Sequence, residues 1–170
     1  MIDHPEQNLE RQGSGGFCLT AAGVKPIRVT AGDGGWTVSG RGLDGWKLRR
    51  DTEGLGRFRL EQPGSDGSVA WTMAWPGGER HSVGCCLLMR DGRLFRLLLR
   101  GPRDARFELL GWETPGPYLV VRPTDTGWSV RPEPACGGLE DLREILVLIS
   151  AEVLDADAYQ DSEGDTRQHE

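Results

Sequence analysis

Apolar and polar residues alternate along most of this chain, in short runs separated by glycine and proline, and a helical period takes over only near the C-terminal end. Alternation over four to eight residues is the mark of a strand with one face buried. Read this way, residues 17–21, 27–30, 36–39, 46–51, 57–61 and 69–75 are strands. In them Ile27 with Val29, Trp36 with Val38, Phe58 with Leu60, and Val69 with Trp71, Met73 and Trp75 fall on single faces. Residues 83–101 predict a hairpin around Asp91-Gly92, a pair suited to a two-residue turn that needs positive φ. Its two arms are apolar on both faces, which places them under a second layer, a central helix or a partner. Residues 107–112, 118–122 and 128–131 complete the series. Residues 1–16 are polar, carry no apolar central region, and read as a flexible lead without a secretory signal.

The exception is the segment 139–159. At about 100° per residue Leu142, Ile145, Leu146, Ile149 and Val153 form one apolar face, while Val147, Leu148 and Leu154 add apolar surface on others. Ile145, Val147 and Ile149 also alternate as β-branched residues do in a buried strand. The run exceeds strand length, however, and Glu140 and Asp141 at its start suit a helix N-terminus. The sequence therefore predicts a helix wrapped nearly all round. Its continuous apolar part, 145–154, is about 15 Å long, half a bilayer core, and includes Glu152, so it is not a transmembrane span. Residues 160–170 read as an acidic, frayed tail.

About ten or eleven short strands in meander order, then one apolar helix, predict a single all-β domain over residues 17–159. The 25 glycines and 10 prolines agree with many tight turns. Antiparallel sheets of this size remove their edges by curling up, and a helix apolar on several sides is a natural filling. The expected architecture is an antiparallel β-barrel of about ten to twelve strands around a central hydrophobic helix. Glu144 and Glu152 of that helix then need a place near the barrel ends or a partner.

Glycine-bounded strands with recurrent tryptophan from Phe17 to Arg131, followed by the helix from Leu142 to Asp155, resemble the tubby C-terminal-like superfamily, which includes the phospholipid scramblases and the LURP-one-related proteins. The resemblance implies a twelve-stranded barrel threaded by a C-terminal hydrophobic helix. Its functional implications are diverse: phosphoinositide binding for tubby proteins, lipid transport for scramblases, and no known activity for many bacterial relatives.

Charge is uneven. The chain carries a formal net charge of −6, yet residues 41–106 hold 13 Arg or Lys against 8 Asp or Glu, and residues 139–170 hold 2 against 10. A nucleic-acid partner calls for a stronger basic excess. If the strands 46–51 and 57–61 pair, Lys47, Arg49, Arg57 and Arg59 form a four-cation patch able to fork onto phosphates, with Arg50 turned to the opposite side. The same alternation also describes an ordinary solvated face.

Other chemistry is thin. Cys18, Cys85, Cys86 and Cys136 lack the paired spacing of a zinc site and read as reduced thiols of a cytoplasmic protein. In an extended strand His81 and Cys85 share a face about 13 Å apart, too far for a nucleophile and its base. Residues 40–45 match GxGxxG letter by letter, but a strand pattern follows where a dinucleotide site needs a helix, so they read as a glycine turn. The expected function is a non-enzymatic binding or scaffold protein with no cofactor and no metal, which meets an anionic phospholipid surface or phosphate headgroup through its basic strand faces. The alternative is protein association, including homo-oligomer formation, through the apolar hairpin 83–101.

Overall fold

Each predicted strand is realised in the computed structural model, which describes residues 4–13, 15–50, 58–64, 69–74, 84–89, 94–100, 106–111, 116–138 and 142–167. For 69–74, 84–89, 94, 99–100 and 155–167 the description is of the backbone. The strands are β1 (Gln7–Gln12), β2 (Gly16–Ala21), β3 (Val24–Gly32), β4 (Gly35–Ser39), β5 (Lys47–Arg50), β6 (Phe58–Glu61), β7 (Val69–Ala74), β8 (Gly84–Met89), β9 (Leu94–Arg100), β10 (Arg106–Gly111), β11 (Pro117–Pro123) and β12 (Trp128–Pro132). A 3-10 turn, Pro134–Gly138, and the helix α1 (Leu142–Arg167) follow. Every strand pairs antiparallel with its neighbours in sequence, and β1 pairs with β12, so the meander closes into a barrel.

Alternation fixes which residues enter that barrel. Leu9, Phe17, Leu19, Ile27, Val29, Val38, Leu48, Phe58, Leu60, Leu97, Leu109, Leu119, Val121 and Val130 point inward and are buried with the helix in one cluster. Barrel width grows with strand number, and about eight strands already fill their interior with side chains alone. Twelve strands enclose a wider space. An α-helix with its side chains, about 10–12 Å across, fits such a lumen.

The helix shows this by its burial. Residues 144–154 are buried without a break, Val147 and Leu148 as fully as Ile145 and Ile149, which requires walls on every side. The buried Ser150 hydroxyl donates to the Leu146 carbonyl one turn back at 2.6 Å and so keeps its polarity satisfied. Glu144 sits in the first turn, where the helix dipole favours a carboxylate, and Glu152 is completely buried; neither is without an interaction.

Two boundaries differ from expectation. The supposed lead, 1–16, contains β1, which pairs with β2 along Asn8 to Gln12 and with β12 along Gln7 to Leu9. Leu9 is its one large inward apolar residue, too little for an alternating signal. The helix also runs Leu142–Arg167, past the expected end at 159 and into the supposed frayed tail 160–170. Ala156, Ala158 and Gln160 are fair helix formers, and no proline interrupts the ladder. Residues 139–141, at the expected helix start, lie outside the described residues.

Candidate functional site

The basic patch forms on the outside of β5 and β6. Leu48 is fully buried, so its neighbours Lys47 and Arg49 face outward, and across the pair Lys47 meets Glu61, Leu48 meets Leu60, and Arg49 meets Arg59. Lys47 stands opposite Thr37 of β4 on its other side and donates to the Thr37 hydroxyl at 3.0 Å. Arg49 reaches diagonally, its Nε lying 2.9 Å from a Glu61 carboxylate oxygen. Arg59 Nε is buried without a hydrogen-bond partner among the described residues. Three of the four predicted cations are therefore brought together. Arg57 lies outside the described residues.

Beside this face is a hollow of about 140 Å³ bounded by the β3–β4 turn, Gly32 to Gly35, with Thr37, Lys47 and Arg49. The turn is pressed against β5: a Cβ on Gly35, whose φ is +152°, would come within 2.6 Å of the Leu48 carbonyl oxygen. This close approach fixes the turn's backbone beside the two cations. Acids temper the patch, because Asp33 lines the hollow and Glu61 holds Arg49. Lys47, Arg49 and Arg59 against Asp33 and Glu61 leave a formal net charge of +1, on a surface where salt screens strongly.

The GxGxxG segment joins β4 to β5, two strands. Leu43 plugs the loop into the core, the Gly40 amide donates to the Asp44 carboxylate at 2.8 Å, and Val38 and Trp46 pair through Val38 N–H to Trp46 C=O at 2.9 Å. Arg41, at φ +51°, donates from Nε to the Lys25 carbonyl, while Arg143 at the start of α1 donates to the Arg41 carbonyl. Burial disfavours the charged form of Arg41 and lowers its pKa, with Cys18 acting in the opposite sense. The loop thus seats the barrel end on the helix N-terminus.

Leu142, Ile145, Leu146, Ile149 and Val153, expected as the helix core face, are all buried in the lumen. Cys18 and Cys136 are buried free thiols, and burial pushes the Cys136 thiol up to about 11. His81 and the hairpin turn Asp91-Gly92 lie outside the described residues, as do the side chains of Cys85 and Cys86. In the hairpin's second arm Phe95 and Leu97 turn into the core cluster that holds the central helix, while on the other face Arg96 is exposed and Leu98 half-buried. Among the described residues no three His, Cys, Asp or Glu side chains gather as a metal site, and no helix is long and apolar enough to cross a membrane.

Sequence reasoning missed Arg11, because β1 was read as a lead. It placed Arg50 on the side of β5 away from Lys47 and Arg49 but gave it no role. A search against family models, curated proteins and solved structures finds no match to this chain.

Proposed function

We propose that this chain is a non-catalytic binding protein that takes an anionic lipid or phosphate headgroup at the outer face of β5 and β6. The observation that carries this reading is the convergence of Lys47 and Arg49 on the hollow beside the β3–β4 turn. Lys47 has three N–H donors and gives one to Thr37; Arg49 gives Nε to Glu61, and among the described residues no hydrogen bond takes its two terminal amino groups, the fork suited to phosphate oxygens. The barrel around a C-terminal helix is also the arrangement implied by the tubby-like resemblance, and we propose membership of that superfamily on the same ground. Association through 83–101 is the weaker reading, since Phe95 and Leu97 of its second arm contribute to the core.

Sedimentation with neutral and with anionic vesicles, at low and at near-physiological salt, tests the proposal. Binding to anionic vesicles alone, weakened by salt, is the expected result. With each surface cation contributing about 1 kcal/mol to an anionic bilayer, the Lys47→Ala/Arg49→Ala variant should bind roughly thirtyfold more weakly. Equal retention on neutral vesicles, or an unchanged double variant, would overturn it.

A further inference from the structure

The barrel is closed by a seam between two strands far apart in sequence, β1 and β12, which pair along Gln7 to Leu9. The two sides of this seam are not equally fixed. β12 leads through the 3-10 turn into α1, which the barrel encloses, whereas β1 joins the described barrel through the turn after Gln12. Its inward anchorage is small. Leu9 is its one large buried apolar residue; Gln7, also buried, spends its amide nitrogen on the Pro5 carbonyl of the same segment at 3.1 Å. Among the described residues Gln7 Oε1 and the buried Nε2 of His4 have no hydrogen-bond partner, a cost that hydration removes when the strand opens.

The slot that β1 fills is shaped for this strand. Its departure bares the edges of β2 and β12, two rows of backbone groups able to template another strand. A Cβ on Gly127, just before β12, would collide with the Leu9 carbonyl, so the backbone of the entering strand lies close there. The Ser129 hydroxyl donates to the Glu6 carboxylate on the outside, and Arg11 donates to the Leu154 carbonyl at 3.2 Å. The same strand from a second copy reproduces each of these contacts. The balance between a closed monomer and an exchanged dimer then rests on the turn. Gly13, at φ +57°, and Gly15, at φ +97°, hold left-handed conformations in the closed form, and a hinge extended between two copies does not need them.

We propose that β1 is an exchangeable closing strand, which leaves its own barrel and completes that of a second copy between β2 and β12 to give a strand-swapped dimer. This interface is separate from the hairpin 83–101 and does not rest on the headgroup reading.

The test follows the mass of the full chain by sedimentation velocity, before and after concentrated protein is warmed close to its melting midpoint and cooled. A dimer that forms on this treatment and reverts slowly on dilution is expected, because the strand must come out before it can exchange. Gly13→Ala probes the hinge: a Cβ there meets nothing within 4 Å, so the substitution strains only the left-handed turn. With that strain released at both hinges, the association constant should rise roughly thirtyfold or more. Asn8 and Ser129 stand directly opposite across the seam. In the isolated dimer of the Asn8→Cys/Ser129→Cys variant the disulfide should therefore join two chains and run as a covalent dimer on a nonreducing denaturing gel, which neither single variant gives. A chain that stays monomeric after warming, in the Gly13→Ala form as well, would overturn the proposal. So would a dimer whose disulfides close within each chain, the result that association through 83–101 gives.

Discussion

Arg49 stands directly opposite Arg59 across the β5–β6 pair, and Glu61, two residues along β6, takes the Arg49 Nε at 2.9 Å. Like charges directly opposite on one face repel, so the carboxylate relieves a pair that the register imposes. Glu61 is thereby both a structural partner and a competitor for any anion that Arg49 could hold.

Replacing Glu61 by Gln separates these roles. The Arg49–Glu61 pair lies at the surface, with the Arg49 side chain 44% exposed, so its loss should lower stability by less than about 1 kcal/mol in urea unfolding. Affinity for anionic vesicles should rise about fivefold, as expected from removing one opposing charge. A fall in vesicle binding would mean that the basic face acts as solvated surface.

The helix is the element on which the barrel depends most. Ile149 is completely buried in the lumen, where a shortened side chain leaves a void that twelve strands cannot easily collapse. Ile149→Val should cost about 0.5–1.5 kcal/mol and Ile149→Ala about 2–5 kcal/mol. Ile149→Asp, with an unpaired charge there, should cost several kcal/mol and leave the domain unfolded, since typical domains have only about 5–15 kcal/mol in total. Circular dichroism and denaturant titration would check the series; a cooperatively folded Ile149→Asp protein would show that the lumen is not sealed.

Much of this arrangement was legible because the core is built from period-two strands and one helix apolar on every side. Val147 and Leu148, which spoil an amphipathic pattern, are explained only by enclosure, and that inference held. Where inward positions are polar, the signal failed. β1 buries Gln7 and Leu9 but only one of them is apolar, so the strand that closes the barrel was invisible. The outer patch was legible as alternation, but its moderation by Glu61 depends on register, which no single strand encodes. The helix beyond 159 was hidden by acidic residues that suit a tail as well as a helix.

The loop 40–45 can be tested by two glycines with similar backbone angles and different surroundings. Gly34 has φ +81° with open space at its Cβ position, whereas Gly40 has φ +94° and a Cβ there would lie 2.1 Å from the Pro26 carbonyl oxygen. Gly34→Ala should therefore cost only the left-handed strain, about 1–2 kcal/mol. Gly40→Ala should cost clearly more, because backbone must move as well. Equal melting temperatures for the two variants would mean that the loop is not tightly seated on the barrel end.

Cys136 supplies a pH dependence whose sign follows from its burial. The folded chain holds the thiol neutral, with its pKa raised from 9.0 to about 11, while the unfolded chain ionises it near the ordinary value. The group's contribution to stability is therefore fully present below about pH 9 and is lost progressively as pH rises from there through about 11. Comparing unfolding midpoints of the native chain and Cys136→Ala across that window isolates this thiol, because every other group is common to both proteins. The native chain should lose its advantage over the variant as pH increases. Below about pH 9 Cys136 should also react far more slowly with a thiol reagent in the folded protein than in urea, because both burial and the scarcity of thiolate protect it. A difference between the two proteins that stays flat with pH, together with rapid native labelling at Cys136, would place this thiol in contact with water.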